Sequence, residues 1–165
     1  MNTLRPIVAT LAGIGLLAGT ATPAAAQFRN ELRHNTAYCR AGAGPAVNIT
    51  VSGVKSGGGT LRVQLYRGIR ADWLESGRWV NRIELPARAG TMQVCMPVPV
   101  AGTYAIAIRH DINNNGKTDL TTDGGGMSNN PSINIFNLGR PSYTRTAFPV
   151  AAGEVKAITI TMKYM

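Results

Sequence analysis

Short segments in which apolar and polar residues alternate recur along this chain, and they restrict it to a β-sheet protein. In each segment every second residue is apolar, which is the period of a strand with one buried face. Gly-rich or Pro-containing breaks separate the segments. The clearest segments are AVNITVSGV, TLRVQLYR, TMQVCMPV, GTYAIAIR and EVKAITITMKY, and RIELPA and SYTRTAFPV are weaker candidates.

About seven such strands in a chain of this size predict one all-β domain, a single antiparallel β-sandwich of immunoglobulin-like or transthyretin-like type. The sandwich would cover residues 46–165, and residues 27–45, which show no period, would form an N-terminal arm. One segment is a candidate for a helix of little more than one turn, at residues 71–75, before Gly77 ends it.

The first 26 residues have the pattern of a cleaved signal peptide. Arg5 gives a basic start, an uncharged apolar run follows, and Ala24 and Ala26 form the small-residue pattern that signal peptidase reads. The alternative is a membrane anchor, but the apolar run is too short for a span of about 20 residues. We therefore predict cleavage after Ala26, export to the bacterial periplasm or the extracellular space, and a mature chain without a transmembrane segment.

Two cysteines, Cys39 and Cys95, would meet an oxidising compartment after export. An even count there favours a disulfide. It would tie the arm across the outside of a sheet, because Cys95 alternates with Met92, Val94 and Met96, the residues expected to face the core. Closing so long a loop contributes about 4 kcal/mol in the chain-entropy model. Two buried free thiols are the alternative.

The net charge bears on the choice of partner. The chain has 17 basic and 8 acidic residues, and removal of residues 1–26 takes away only Arg5, which leaves a net charge of +8. A basic exported protein is attracted to anionic polymers, so an anionic component of the cell envelope is the candidate partner. The arginines are scattered singly rather than clustered with aromatic residues, which argues against sequence-specific binding of nucleic acid.

One loop carries side chains suited to a metal ion. HDINNNGKTD follows the GTYAIAIR strand and has oxygen-bearing residues at the spacing of a calcium loop. The candidate ligands are Asp111, Asn113, Asn115, the backbone carbonyl of Lys117, Asp119 and, because Thr122 stands at the twelfth position, Asp123. Few of them are carboxylates, so we expect calcium affinity in the millimolar range. The alternative is an Asn-Gly turn without metal, and no other cofactor is predicted.

His110 beside Asp111 is the one pair that suggests catalysis. Nucleophile elbows, zinc-protease motifs and paired glutamates are absent from the sequence. We therefore interpret His110 as a residue that braces the loop, in a non-catalytic binding or envelope-accessory protein. A periplasmic hydrolase that uses His110 and Asp111 is the alternative. Trp73 and Trp79 as an aromatic platform for sugars are a further hypothesis.

The region from Gly102 to Phe148 resembles a known family. Its elements GTYAIAIRHDINNNGKTD, GMSNN and GRPSYTRTAF resemble the pattern of the bacterial domain-of-unknown-function family 2141. The resemblance implies export and an immunoglobulin-like or transthyretin-like sandwich, and it implies no established activity. The segment LTTDGGGMSNN departs from the family pattern, because it lacks a Pro and a Glu and has Met127 in place of Phe. The matching residues are Gly102, Tyr104, Ala105, His110, Asp111, Asn113, Asn115, Gly116 and Asp119, then Ser128, Asn129 and Asn130, and then Pro141, Ser142, Tyr143, Ala147 and Phe148.

These observations place the candidate functional face on the segment from His110 to Asn130. Ser128 and Asn129 would brace it together with His110, and the glycines at 124–126 would make it mobile. Loops mounted on a rigid sandwich commonly carry binding residues.

Overall fold

The computed structural model describes residues 28–133 and 139–165. The predicted signal peptide and its cleavage site lie outside the described residues. A short 3₁₀ helix spans Thr36–Cys39, and one α-helical turn, α1, spans Tyr143–Thr146. The described strands are β1 (Asn30–Leu32), β2 (Ala46–Val54), β3 (Thr60–Arg67), β4 (Trp79–Pro86), β5 (Gly90–Pro97), β6 (Gly102–Asp111), β7 (Gly124–Met127), β8 (Phe148–Val150), β9 (Val155–Thr161) and β10 (Lys163–Tyr164).

The strands form two sheets. The larger has the order β1-β4-β3-β6-β7-β10, with β8 paired to the first residues of β6, and the smaller has the order β5-β2-β9. Two strand pairs are parallel, β1 with β4 and β2 with β9. The prediction of an all-β fold is confirmed. The prediction of about seven strands, all antiparallel, is wrong, because the described part has ten strands and these two parallel pairs.

Short elements account for most of the difference from the predicted strands. β1, β7, β8 and β10 have two to four residues each, too few to show an alternating pattern. The candidate strand SYTRTAFPV contains α1 followed by β8. Residues 70–74 form a hydrogen-bonded turn instead of the predicted helix, and Leu74 at its end has a φ of +57°. No helix in residues 28–133 or 139–165 is both long and apolar enough to cross a bilayer.

Both sheets contribute to one hydrophobic core, which is why their strands alternate. The inward residues of β2, β3, β5 and β6 are each at most 4% exposed. Burial of their apolar surface stabilises the fold by about 25 cal/mol per Å² removed from water. These core residues are Val47, Ile49 and Val51; Leu61, Val63 and Leu65; Met92, Val94 and Met96; and Tyr104, Ile106 and Ile108.

A second, smaller cluster covers part of the outer face of the larger sheet. This satellite cluster consists of Tyr66, Trp73, Trp79, Ala105 and Met127. Trp73 is 7% exposed and Trp79 is 5% exposed, and the Trp73 indole donates a hydrogen bond of 2.8 Å to the carbonyl oxygen of Pro141. The hypothesis of a sugar platform is wrong, because both rings are buried as packing residues.

The N-terminal arm is fastened to the smaller sheet. Cys39 and Cys95 form a disulfide with 5.8 Å between their Cα atoms, as predicted. The bond holds the 3₁₀ helix against β5, which is an edge strand of the smaller sheet. His34 adds a second contact, since its Nε2 accepts a hydrogen bond of 3.1 Å from the Cys95 backbone N–H. The arm therefore covers an edge that would otherwise offer free backbone groups.

Candidate metal-binding loop

The loop after β6 is anchored at both ends by strands of the larger sheet. β6 ends at Asp111, which pairs with Thr60 of β3. β7 begins at Gly124, which pairs with His110. The twelve residues between them therefore start and finish on adjacent strands. The glycines at 124–126 lie in β7, so the prediction that they make this segment mobile is wrong.

Asp111 lies at the base of the loop and is only 3% exposed. Its Oδ2 accepts hydrogen bonds from the Gly116 backbone N–H at 3.0 Å and from Arg109 Nη2 at 3.1 Å. Its Oδ1 is buried and has no hydrogen-bond partner in the described part of the chain. A buried carboxylate oxygen without a partner is costly to desolvate, so a cation bound at this atom would be stabilised.

Asn113 and Asn115 curl the backbone of the loop. Asn113 Oδ1 accepts from the backbone N–H of Asn115 at 3.2 Å, and Asn115 Oδ1 accepts from that of Lys117 at 2.8 Å. Gly116 follows with a φ of +76°, a left-handed conformation that glycine adopts without steric cost. These side-chain turns form without a metal ion, so they are compatible with both predicted alternatives for the loop.

Asp119 joins the two asparagines on the exposed side of the loop. Its Oδ2 accepts hydrogen bonds from Asn113 Nδ2 at 3.1 Å and from Asn115 Nδ2 at 2.6 Å. The hydrogen bonds from Asn113 and Asn115 lower the pKa of Asp119 below the ordinary range of an aspartate. Three of the predicted ligands are thus in direct contact, and the carboxylate among them stays charged in mildly acidic solution.

Asp123 holds the loop closed through backbone groups. Its Oδ1 accepts from the Ile112 N–H at 3.2 Å, and its Oδ2 accepts from the Asp119 N–H at 3.1 Å. Each oxygen of this predicted ligand therefore accepts one hydrogen bond from the backbone of the loop. Within residues 28–133 and 139–165, no group of three or more His, Cys, Asp and Glu side chains is placed to hold a metal ion. An ion in this loop would depend on amide and carbonyl oxygens as well as carboxylates.

Arg109 is a residue of this site that the motif does not reveal. Its Nη2 donates to the Gly116 carbonyl at 3.1 Å as well as to Asp111, and its Nη1 donates to Thr118 Oγ1 at 3.1 Å. It precedes Asp111 by two residues and so shares its face of β6, which is the signal that would have identified it. Because its charge competes with a cation for the carboxylate, it lowers the expected metal affinity.

His110 is completely buried at the end of β6, on the core side of the strand. Its Nε2 lies 2.9 Å from the Gly58 carbonyl oxygen and its Nδ1 lies 2.8 Å from the Tyr164 hydroxyl. A carbonyl can only accept, so Nε2 carries a proton, and in the neutral ring Nδ1 accepts from Tyr164. The Tyr164 oxygen in turn accepts from the Lys55 backbone N–H at 3.0 Å. Both ring nitrogens are engaged in connecting β10 and the Gly58 turn to β6.

Ser128 and Asn129 connect the segment after β7 to the rest of the larger sheet. Buried Ser128 accepts a hydrogen bond of 3.0 Å from the Ile106 N–H and donates one of 2.6 Å to the Thr146 carbonyl. Asn129 donates to the carbonyls of Arg145 and Ala147 at 3.3 and 3.0 Å. Their partners are backbone groups of β6 and of the turn that leads into β8.

Asn130, for which no role is predicted, extends these contacts to the smaller sheet. Its side chain donates to the Thr159 carbonyl at 2.9 Å and accepts from the Thr161 N–H at 2.8 Å. Asn130 therefore occupies the free backbone groups along the edge of β9.

Comparison with protein-family models assigns most of this chain to a family. The family model described as "Uncharacterized protein conserved in bacteria (DUF2141)" matches residues 49–158, a range that contains the whole loop and Ser128 to Asn130. No curated protein and no solved structure matches the chain.

Proposed function

This chain belongs to DUF2141, a family of uncharacterized proteins conserved in bacteria, and from that premise we propose that it is an exported β-sandwich module that binds calcium in the loop 111–123. The proposed role is non-catalytic: a binding or envelope-accessory protein whose functional face is this loop. The partner is an anionic component of the envelope, which the net charge of +8 on the mature chain would attract.

Export is supported by the disulfide and by the predicted signal peptide. Disulfides persist in the periplasm and outside the cell and are rare in the cytosol. The bond between Cys39 and Cys95 therefore fits an oxidising compartment. N-terminal sequencing of the protein from a periplasmic or culture-medium fraction tests the prediction, and we expect the mature chain to begin at Gln27.

Calcium binding rests on one observation, the buried Oδ1 of Asp111 that has no partner among the described residues. Calcium takes six to eight oxygens, and its loops place them on alternate residues. The carboxylate of Asp111, the amides of Asn113 and Asn115, the Lys117 carbonyl and Asp119 have this spacing. In the conformation described, Asp123 supports the backbone of the loop, so a water would complete the shell. Two carboxylates beside Arg109 are consistent with a dissociation constant in the millimolar range.

The non-catalytic role is supported by the surroundings of His110. A general base needs a free nitrogen within reach of a substrate or a water. Both nitrogens of His110 are hydrogen bonded, and its ring is completely buried. Ser128, the serine of this segment that could act as a nucleophile, is also buried, and its hydroxyl is hydrogen bonded to backbone groups. Screens of the purified protein with esters, phosphoesters and glycosides should show no turnover.

The decisive experiment is thermal unfolding of the mature protein in EDTA, in calcium and in magnesium. A ligand at ten times its dissociation constant stabilises the native state by about 1.4 kcal/mol. For a domain of this size the midpoint should rise by about 4 °C in calcium. Magnesium should have a smaller effect, because it demands near-octahedral geometry and loses its water reluctantly.

Two variants separate the loop from general effects of charge. Asp111→Asn should abolish the calcium-dependent rise, because it removes the carboxylate at the base of the loop. Glu31→Gln also removes one negative charge, from a side chain that is 71% exposed in β1, and it should keep the full rise. If wild-type protein shows no rise at calcium concentrations well above the millimolar range, the loop is a hydrogen-bonded turn and the proposal is wrong.

A further inference from the structure

A pocket of about 370 Å³ opens on the outer face of the larger sheet, between the loop 111–123 and the satellite cluster. Ala107 of β6 and Gly125 and Met127 of β7 line it, and Leu74 and Leu120 line it from the covering loops. Its volume lies within the range of small-molecule sites, about 300–1,000 Å³. Leu120, which is 48% exposed, adds apolar surface at the pocket.

Three basic residues form a row across the sheet at this pocket. In the strand register Arg62 of β3 is directly opposite Arg109 of β6, Arg109 is opposite Gly125 of β7, and Gly125 is opposite Lys163 of β10. We call Arg62, Arg109 and Lys163 the cationic row. Like charges directly opposite each other destabilise a sheet. Arg62 and Arg109 are such a pair, and their repulsion can be offset by carboxylates of the protein or by a bound anion.

The hydrogen-bonding capacity of the cationic row is only partly used. Arg62 Nε pairs with Glu84 at 2.6 Å, and Arg109 pairs with Asp111. The buried Nε of Arg109 has no hydrogen-bond partner, and the ammonium group of Lys163 has no hydrogen bond or ion pair, in the part of the chain that is described.

The pocket also has other charged groups, and among them cationic hydrogen-bond donors outnumber free carboxylate oxygens. Arg140 also lines it, and its ion pair with Glu75, at 3.3 Å, is exposed to solvent and therefore weak. The acidic side chains at the pocket are Asp119 and Asp123, and three of their four oxygens already accept hydrogen bonds. The unused groups at the pocket are therefore mostly cationic donors.

Gly125 keeps this pocket open, and it differs from its two glycine neighbours. A Cβ added to Gly124 would lie 2.4 Å from the Tyr164 ring, and one added to Gly126 would lie 2.8 Å from Ile160. A Cβ added to Gly125 would meet nothing within 4 Å. Packing therefore requires the outer two glycines but not the central one. Glycine weakens a strand and often marks a place where a ligand or another backbone approaches closely, and at Gly125 the open space is the pocket.

We propose that this pocket binds a small organic anion, a carboxylate or phosphate joined to an apolar group. The anionic end would contact Lys163, Arg62 and Arg140, because guanidinium and ammonium groups form charge-assisted hydrogen bonds to such oxygens. The apolar part would lie over Gly125 and Met127. The inference does not depend on calcium in the neighbouring loop, because the residues that carry it are not metal ligands.

The test is a fluorescence titration with anilinonaphthalene sulfonate, an organic anion whose emission rises in an apolar site. It is run on the folded mature protein in EDTA, so that the result is independent of the calcium proposal. We expect saturable binding of one probe per protein. Octyl phosphate should displace the probe. Inorganic phosphate, which has only the anionic group, and octanol, which has only the apolar chain, should not do so at the same concentration.

Two substitutions and two matched controls assign the binding to this pocket. Gly125→Ile fills the open space and should abolish binding, and Lys163→Gln should weaken it about tenfold, the effect of one charge-assisted hydrogen bond. Gly57→Ile adds the same side chain at another open glycine, and Lys156→Gln removes a lysine that pairs with Glu154. Both controls should bind the probe like wild type.

The proposal is overturned if wild-type protein shows no saturable binding, or if Gly125→Ile binds the probe as wild type does. Equal displacement by octanol and octyl phosphate would also overturn it, because the cations would then play no part. If Gly125→Ile fails to fold, as judged by its unfolding midpoint, the test is the affinity of Lys163→Gln and Arg140→Gln for the probe. Unchanged affinity in both variants overturns the proposal.

Discussion

Two polar clusters flank β6, and they differ in whether their buried atoms are satisfied. The first, the junction, consists of Ser128, Asn129 and Asn130, and it connects β6, the turn that leads into β8, and β9. The second is the loop 111–123. In the junction every buried side-chain oxygen and nitrogen has a partner in the described protein, whereas in the loop a buried oxygen of Asp111 has none.

Both clusters consist of short polar side chains that form hydrogen bonds with the backbone, but the consequences differ. The loop uses Asp and Asn side chains and the junction uses Ser and Asn side chains to bind backbone groups, as such residues commonly do. A cluster that satisfies itself stabilises one conformation and offers nothing to a ligand. A cluster that leaves a buried carboxylate oxygen unpaired has kept the capacity to bind, at some cost in stability. We therefore propose that the junction stabilises the fold and that the loop is the binding site.

The largest effect is expected at the junction. Ser128→Ala removes two hydrogen bonds and leaves the Ile106 N–H and the Thr146 carbonyl without this partner in a buried site. An unsatisfied buried group costs about 1–3 kcal/mol, so we expect a loss of about 2–3 kcal/mol in urea unfolding. The calcium-dependent rise in midpoint should be unchanged.

Ser142→Ala is the control for that substitution, since the Ser142 hydroxyl is exposed and forms a hydrogen bond with the Thr144 hydroxyl. It should change stability by less than about 0.5 kcal/mol. If Ser128→Ala folds normally but loses the calcium-dependent rise in midpoint, the junction belongs to the binding site, and the proposed difference between the two clusters is wrong.

A smaller effect is expected at the base of the loop. Tyr164→Phe removes the hydroxyl that links the Lys55 N–H to His110, and it should cost about 1 kcal/mol at neutral pH. Burial raises the pKa of Tyr164, against a smaller opposing effect of the hydrogen bond from Lys55. A raised folded-state pKa gives stability that is present below the ordinary value of about 10 and is lost as the pH rises through the folded value.

The difference in unfolding free energy between wild type and Tyr164→Phe should therefore shrink above about pH 10. Burial also raises the pKa of Tyr66 and of Tyr104, but those residues are present in both proteins and cancel in the difference. Calcium should stabilise the variant as it does wild type. A difference that grows with alkaline pH would show that the sign of this linkage is wrong.

Much of the fold could be predicted from the sequence because its long strands face one core. Alternate residues are buried in each of the strands β2, β3, β5 and β6, so every second residue of their sequences is apolar. β7 could not be predicted in this way, because contacts with Tyr164 and Ile160 from other strands require glycine at 124 and 126. Close approach between distant segments leaves no local pattern.

The candidate site was predictable in its spacing but not in its partners. The order of Asp, Asn and Gly residues indicated a loop with oxygen ligands, and the structure brings Asn113, Asn115 and Asp119 together. That Asp123 holds the loop backbone depends on the path of the chain, which spacing does not determine. The pocket at Gly125 depends on the register of four strands and was likewise beyond the sequence.

The smallest expected effect is a change in the pKa of one exposed carboxylate, Asp119, and it distinguishes the loop from the rest of the protein surface. Hydrogen bonds from Asn113 and Asn115 lower the pKa of Asp119. Its contribution is therefore present above the ordinary value of about 3.9 and is lost as the pH falls through the lowered value. Asn115→Ala should move the Asp119 midpoint upward in a carboxyl-carbon NMR titration, with no measurable change in global stability.

Glu154 is the matched control, because its pKa is also lowered, by a hydrogen bond from the Ala151 backbone and by Lys156. It lies in the turn between β8 and β9, outside the loop. Calcium should lower the pKa of Asp119 further, since a bound cation favours the charged carboxylate, and should leave Glu154 unchanged. Equal shifts at both residues would mean that calcium acts only as a salt, and the functional distinction between loop and junction would lose its physical basis.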